Sequence, residues 1–327
     1  MAGKYGSASV GYLVDGVNML AAKFKTLSLK FTSLTEQFDG LGDVPEMFCP
    51  VGKSQTTLTQ GGGLFDTATA GLHALMASGT PTTPQATPRI AMITPMGSSV
   101  GAVFYGIAAL FTNEYEAAVE GSKLTKANVS TLMAGASERG QIVQPLATFT
   151  ADWNTKTLGT VVDYTLDPSQ YSIPITSFSL ASPSAVVTAV PHGRATGDII
   201  LIAGSGDIDG ERTITVTSTT GFTIGAASAT GGTGGSFLRA NSTAGGAGYQ
   251  QVTALTGFTN YVGKLRDSAD DTTYADLITF VDVTDITDKT LAAQRVTVAG
   301  VIDRYVSHDG NVTGTGSITA TSGLIRS

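Results

Sequence analysis

The chain has very little cysteine and histidine, and each shortage excludes a class of protein. Cys49 is the single cysteine among 327 residues, so no disulfide can form within the chain. The three histidines, His73, His192 and His308, are scattered along the sequence and give too few ligands for a structural zinc site. This composition fits assembly in a reducing cytoplasm.

Charge is also scarce, because Asp, Glu, Lys and Arg make up 14% of the residues and the formal net charge is −7. No cluster of Lys and Arg forms a stripe that neutralises successive phosphates, so tight or sequence-specific DNA binding is not expected. The amino terminus lacks a basic region followed by an apolar run, and no stretch of about 18 apolar residues occurs elsewhere. We therefore expect neither secretion nor membrane insertion.

Glycine, by contrast, occupies 40 positions, and threonine, serine and alanine are abundant. Such a composition is typical of short strands joined by turns rather than of long exposed helices. The length suits two or three domains at about 100–150 residues each. The sequence therefore predicts a mainly β protein with more than one domain.

Strands dominate the pattern of the first 155 residues. Ala8–Asn18 and Phe24–Thr35 are each predicted as a strand, because apolar and polar residues alternate there with a period of two. Stretches 90–112 and 123–149 each predict a pair of strands.

One helix and one arm are predicted between these strands. From Asp66, apolar residues recur every three or four positions before Gly79, which predicts an amphipathic helix of about three turns. The segment 79–89 is rich in proline and threonine and predicts an extended surface connection or arm.

The second half predicts strands and turns almost throughout. Residues 185–226 contain four short apolar runs separated by turns with Gly, Asp and Pro, which predicts a small barrel or sandwich. A Gly/Ala/Ser/Thr tract at 229–248 leads into further predicted strands, namely Gln250–Leu255, Thr259–Leu265, Leu277–Val283, Gln294–Val301 and Ser317–Thr321.

Three segments suggest ligand chemistry and fail on their spacing. PVGKSQTT at 50–57 contains a GKS triplet, but a phosphate loop needs a glycine where Met47 stands, so a turn before a strand is predicted instead. GSGDIDGE at 204–211 lacks the distal acidic ligand of a calcium loop and predicts a tight hairpin. SADDTT at 268–273 predicts a turn between strands.

Catalysis is not expected either. No serine, threonine or cysteine stands in a recognisable nucleophile context beside a base, and each histidine is predicted as a turn or surface side chain. The acid pairs Glu114/Glu116 and Asp282/Asp285 would serve a glycosidase only if their environments separated their pKa values, which a sequence cannot show. We predict no catalytic, cofactor-binding or metal-binding residue and no enzyme activity.

Several segments resemble a known family. VGYLVDGVNMLAAKFKTLSLKFTSL, PVGKSQTTLTQGGGLFDTATAGLHALM and KLTKANVSTLMAGASERGQIVQPLATFTADWNTKT are similar to the major tail tube proteins of bacteriophages with long, non-contractile tails. AQRVTVAGVIDRYV and the preceding GGAGYQQVTALTGFTNYVGKLRDSADDTTYADLITFVDVT resemble the β-sandwich appended to many of those proteins. Residues between them resemble a small β-barrel module of phage structural proteins, which is related to a half-domain of ubiquitin-activating enzymes but has no nucleophile here.

The resemblance implies a fold and a division of the chain. The expected fold is a tail-tube-like β-sandwich with one flanking helix, an outer β-sandwich and an inserted small β-barrel. The tube domain would span 1–157, the outer sandwich 158–167 and 246–327, and the barrel 168–245. The Gly/Ser-rich start and the loop 79–89 are the expected contacts to the next ring.

The resemblance also implies a function. Subunits would assemble in the host cytoplasm into stacked, commonly hexameric rings of a virion tail, through which DNA is ejected without specific binding. Expected partners are other copies of the chain and the tape measure, tail terminator and distal tail proteins, with weak contact to host-surface glycans. Tyr249, Tyr261 and Tyr274 are expected to pack rather than to stack on sugars. Two rivals remain open: a sugar-binding adhesin or receptor-binding tail protein, and a capsid decoration protein.

Overall fold

The computed structural model of the chain describes residues 11–19, 26–38, 47–64, 88–118, 126–133, 137–166, 172–179, 182–225, 231–242 and 244–326. These residues are mainly β, as the composition predicts. The strands are β1 (Gly11–Val14), β2 (Val17–Asn18), β3 (Thr26–Phe38), β4 (Met47–Leu64), β5 (Arg89–Thr94), β6 (Val103–Ala118), β7 (Lys126–Met133), β8 (Glu138–Phe149), β9 (Trp153–Asn154), β10 (Val162–Asp163), β11 (Ile173–Phe178), β12 (Ser184–Thr188), β13 (Ile199–Ala203), β14 (Gly210–Ser218), β15 (Gly221–Ile224), β16 (Ser236–Arg239), β17 (Gly246–Ser268), β18 (Ala275–Thr279), β19 (Ala293–Val298) and β20 (Tyr305–Arg326).

Helical structure is short within the described residues. Two 3₁₀ turns, Tyr164–Leu166 and Gly206–Ile208, and one α-helix, α1 (Lys289–Ala292), are present there. Asp288 caps α1, since its carboxylate accepts a hydrogen bond from the Thr290 amide. The helix predicted from Asp66 and the predicted arm 79–89 lie outside the described residues, apart from the last two positions of the arm.

A large sheet joins the first and last parts of the chain. Its main path has the order β18-β17-β20-β8-β6-β5-β1-β2, and the remaining strands branch from it. β17 and β20 form its longest pair, and β20 also pairs with β8, from Ile318 opposite Phe149 to Leu324 opposite Gln141. The division at residue 157 stays a prediction, although backbone hydrogen bonds connect the two sides of it.

A closed six-stranded barrel interrupts this sheet, with the order β11-β12-β15-β14-β13-β16. It lies within the stretch predicted for it, and the four runs found between 185 and 226 form β12, β13, β14 and β15. The side chains of β12 are alternately buried and exposed, which is the pattern that predicts a strand with one face in the core. The core of the barrel contains Ile175, Phe178, Val186, Ile200, Ile202, Ile208, Ile214, Phe222, Ile224 and Phe237.

Stretches 90–112 and 123–149 each contain two strands, as predicted. β5 and β6 pair with each other, whereas β7 pairs with β4 and β6, and β8 pairs with β6 and β20. The single strand predicted at Ala8–Asn18 is wrong over Gly11–Asn18, because the chain turns at Asp15 and Gly16, both of which have positive φ. β1 and β2 on either side of this turn pair with each other. The turn predicted at 50–57 is also wrong, since these residues continue β4.

Two strands predicted separately, Gln250–Leu255 and Thr259–Leu265, belong to the single strand β17. β-bulges interrupt the register of β17 against β20 near Val252 and again near Phe258. A bulge shifts the alternation of side chains without ending the strand, so the sequence pattern shows a break that the backbone does not have.

Candidate assembly surface

β6 changes its partner near its middle and thereby builds a second layer. The first half of β6 pairs with β5 as far as Leu110, and residues from Leu110 onward pair with β7. β7 pairs with β4, and β4 pairs with β3. We call the strands β6, β7, β4 and β3 the branch layer.

The inner face of the branch layer packs on an apolar core. Leu58 and Leu110 have no exposed side-chain surface and Val129 has 1%, and Leu27 and Leu29 of β3 pack on the same core. Burying a side chain of this size stabilises the fold by about 1.5–3 kcal/mol. The layer is therefore fixed to β1 and β5 by its apolar residues.

Buried polar side chains fix the same layer at defined positions. Gln60 Nε2 donates to the Tyr12 hydroxyl over 2.7 Å, and Thr131 Oγ1 donates to the Leu58 carbonyl oxygen over 3.0 Å. Burial raises the pKa of Tyr12, so this hydroxyl stays protonated.

The outer face of the branch layer carries rows of polar side chains. Ser28, Thr59, Ser130 and Glu114 lie opposite one another in successive strands and form one row across the layer. In the next row, Asn128 Nδ2 donates to Glu116 Oε2 over 2.8 Å. The side chains of Ser28, Thr59 and Glu114 are exposed, so hydroxyl and carboxylate groups form this part of the layer's surface.

β3 is the free edge of the branch layer, since β4 is its one strand partner in the described part of the chain. The strand is 13 residues long. β4 pairs with β7 only from Thr57 onward, so residues 31–38 and 47–56 pair with each other beyond the end of β7. At ~3.3 Å per residue this two-stranded extension is about 25 Å long, and we call it the β3–β4 arm.

The barrel is attached to the large sheet by a short bridge and an ion-pair network. Ser242 and Ile302 exchange backbone hydrogen bonds of 2.9 and 2.7 Å. Arg304 bonds Asp163 on the sheet side, at 2.9 and 2.8 Å, and Glu211 on barrel strand β14. Burial alone would raise the pKa of Asp163, but the hydrogen bonds from Arg304 and Thr165 hold it below its ordinary value.

His308 is not a surface or turn residue, which corrects the prediction. Its side chain is fully buried within β20, where Nε2 lies 3.1 Å from the Tyr261 hydroxyl and Nδ1 lies 2.9 Å from Ser322 Oγ. Trp153 stacks on its ring with 5.7 Å between centroids. Burial lowers the pKa of His308 to about 3. Strand pairing continues directly after His308, because Asp309 lies opposite Lys264.

His192 lies in a loop, as predicted, but is 3% exposed rather than a surface residue. Its Nδ1 accepts a hydrogen bond from the Arg194 amide over 3.0 Å, and its Nε2 lies 3.0 Å from the Ser218 carbonyl oxygen. The ring therefore links its loop to the end of β14. His73 is outside the described residues.

The two acidic segments form turns. GSGDIDGE connects β13 to β14 as a hairpin, in which Asp209 accepts hydrogen bonds from the Gly204 and Ser205 amides at 3.2 and 2.7 Å. SADDTT forms the predicted turn, in which Asp270 accepts from the amides of the two following threonines. Across the described ranges no group of three or more His, Cys, Asp or Glu side chains is placed to hold a metal ion.

The three tyrosines differ in exposure. Tyr249 and Tyr261 are fully buried and pack in the sheet, as expected. Tyr274 is half-buried, and its hydroxyl donates to Asp271 Oδ1 over 2.5 Å.

No protein-family model matches the chain, and no curated protein matches it either. Among solved structures, the Dit protein (gp 19.1) of SPP1, described as a hub of the adsorption apparatus in phages that infect Gram-positive hosts, is similar at 10% identity and a TM-score of 0.27, over 97% of this chain and 99% of that one. This similarity carries no argument about function.

In the part of the chain that the structure describes, no helix is long and apolar enough to cross a membrane.

Proposed function

We propose that this chain is a structural protein of a phage tail, and specifically the major tail tube subunit of a long, non-contractile tail. The observation that carries the proposal is the branch layer, which combines a polar outer face with an open strand edge. The resemblance of the first 157 residues to tail tube proteins supports the same function. The protein would act by assembly and not by catalysis.

The open edge of β3 supports ring formation. An unpaired strand presents a row of backbone N–H and C=O groups that a strand of another chain can complete. A ring needs a head-to-tail contact, in which the edge of one subunit meets a different surface of the next. In the proposed ring, β3 supplies one side of this contact, and the β3–β4 arm reaches toward the neighbouring ring.

The polar face supports a lumen that lets DNA pass. Glu114 and Glu116 are exposed on it, and carboxylates repel the phosphates of a nucleic acid. The hydroxyl groups of Ser28 and Thr59 add no charge, and exposed Lys30 on the same face adds one positive charge against the two carboxylates. In the proposed tube this face points inward, the barrel lies outside, and the tape measure, tail terminator and distal tail proteins meet the tube at its core and ends.

Negative-stain electron microscopy of the purified chain at high concentration tests the proposal. The native protein is expected to form stacked rings or tubes. Ser28→Glu places a charge on the open edge strand and should abolish them. Thr215→Glu is the matched control, because Thr215 is an exposed residue of the closed barrel, which has no free edge, and it should assemble normally.

Other outcomes identify the rivals. Isolated particles with saturable glycan binding would indicate an adhesin, and antibody labelling of the capsid in the parent virion would indicate a decoration protein. Tubes formed equally well by Ser28→Glu would show that β3 is not the ring contact.

A further inference from the structure

The chain leaves the barrel through a buried segment and not through an exposed linker. Ala240, Asn241 and Ser242 follow β16, and all three are buried. The amide of Ala240 donates to the Ile199 carbonyl oxygen of the barrel over 2.8 Å. Ser242 exchanges two backbone hydrogen bonds with Ile302 of the sheet. This exit segment, residues 240–242, is therefore bonded to the barrel on one side and to the sheet on the other.

Arg326, the last residue of β20, lies beside the exit segment. Its Nη2 donates to the carbonyl oxygens of Ala240 and Ile302, over 3.0 Å in each case. The first oxygen belongs to the exit segment and the second to the sheet, so one guanidinium group connects the two. Hydrogen bonds from an ionised donor are roughly twice as strong as those between neutral groups, so this connection is a strong one.

The same guanidinium group contacts the segment by which the chain leaves the sheet for the barrel. Its central carbon lies 4.1 Å from the centre of the Tyr164 ring, which is a cation–π distance. The Tyr164 side chain is buried, and its hydroxyl donates to the Leu324 carbonyl oxygen over 3.2 Å. Arg326 therefore contacts the chain both before it enters the barrel and after it leaves.

The barrel also contacts the sheet at a second place, on another of its strands. Arg304 bonds Asp163 on the sheet side and Glu211 of β14, whereas the exit segment follows β16. A body attached at one point can rotate about it, but two separate points of attachment oppose that rotation. The pair of contacts therefore limits how far the barrel can turn on the sheet.

We propose that Arg326 fixes the orientation of the barrel on the large sheet, so that the two move as one rigid body. The barrel has an apolar core of its own within a closed ring of strands. Without the Arg326 contacts it would stay folded and turn about its connections. This proposal concerns the attachment of the barrel and does not depend on tube formation.

Hydrogen exchange of the full chain under native conditions tests the proposal. The amides of Ser242 and Ile302 report on the attachment, because each donates across it, whereas the Ile214 amide donates to Asp198 within the barrel. Arg326→Met keeps the apolar stem of the side chain and removes both hydrogen bonds. Exchange at Ser242 and Ile302 should become at least about tenfold faster, since one hydrogen bond from a charged group contributes that much. Exchange at Ile214 should not change, because local opening leaves the barrel folded.

Arg212→Met is the matched control. Arg212 donates to the carbonyl oxygens of Ile208 and Asp209, which lie within the barrel, so its loss should leave exchange at Ser242 and Ile302 as in the native chain.

Arg326→Lys keeps the charge but lacks the planar fork of arginine. Exchange at the two attachment amides should then be faster than in the native chain and slower than in Arg326→Met. This variant keeps the test valid if Arg326→Met does not fold.

Three results would overturn the proposal. The first is equal exchange at Ser242 and Ile302 in the native chain and in the Arg326 variants. The second is an equal acceleration at Ile214 and at Tyr261, whose amide donates to Val283 within the sheet, because Arg326 would then stabilise the whole fold and not the attachment. The third is an effect of Arg212→Met on the attachment amides as large as that of Arg326→Met.

Discussion

Replacement of His308 by glutamine should remove a large part of the pH dependence of stability. Glutamine can still hydrogen-bond in the site that His308 shares with Tyr261 and Ser322, but it does not titrate. The imidazole is fully buried, and its pKa falls from 6.5 to about 3 on folding. Between these two pKa values, the unfolded chain binds a proton at His308 and the folded protein does not.

The sign and size of the effect follow from this difference. Above pH 6.5 the imidazole is neutral in both the folded and the unfolded state, so protonation of His308 does not reduce the free energy of unfolding there. Between pH 6.5 and pH 3 the unfolded state binds more protons, and stability falls as the pH falls. At 1.36 kcal/mol per unit, the native protein should lose about 2 kcal/mol between pH 8 and pH 5 through this one group.

The assay is urea unfolding at pH 8, 6.5 and 5, followed by the fluorescence of Trp153. It is the single tryptophan of the chain, and it stacks directly on His308. Asp15 and Asp267 have raised pKa values, while Glu138 and Asp163 have lowered ones. These carboxylates are common to both proteins, so the difference between the two curves isolates His308. Parallel curves for the native protein and His308→Gln would refute the reasoning.

Two further perturbations test the packing and the attachment of the barrel. Gly310→Ala should cost about 1–3 kcal/mol of unfolding free energy, because the added Cβ would lie 2.4 Å from the buried indole ring of Trp153. In the control Gly225→Ala, the added Cβ meets no atom within 4 Å, so this variant should cost almost nothing. Equal losses in urea titrations of the two variants would contradict this. Asp163→Asn should cost about 1–3 kcal/mol and Glu211→Gln at most about 1 kcal/mol, since the two side chains are 19% and 34% exposed. The opposite order in thermal unfolding would show that the Arg304 network is anchored on the barrel side.

The sequence predicts the barrel well because side chains alternate between more buried and less buried along strands such as β12 and β13. In β12 every second side chain enters the core, and Gly, Asp and Pro stand at the connections. A closed barrel has one inside and one outside, so the period of two is preserved along β12 and β13. Local pattern and global fold agree there.

The branch layer could not be predicted in the same way. The alternation of Leu27 and Leu29 with polar residues predicts a strand, but it does not say which strand lies beside it. The free edge of β3 and the change of partner at Leu110 are properties of the pairing, which a single sequence does not record.

The polar interior of the sheet explains how its two longest strands find their register. β17 and β20 are rich in Gly and Thr, and such strands specify their register weakly through apolar contacts. Hydrogen bonds between buried polar groups add to the specification of the register. Gln251 Oε1 accepts the Gly16 amide over 2.7 Å, and Thr321 Oγ1 donates to the Gln144 carbonyl oxygen over 2.7 Å.

A shift of one residue would turn these side chains to the opposite face and leave their buried partners without hydrogen bonds. The loss of a buried partner costs about 1–3 kcal/mol for each group, and the groups in this network would be lost together. His308, with a hydrogen-bond partner near each ring nitrogen, belongs to the same set. The residue predicted as a surface turn is therefore one of those that hold the first and last parts of the chain in a single register.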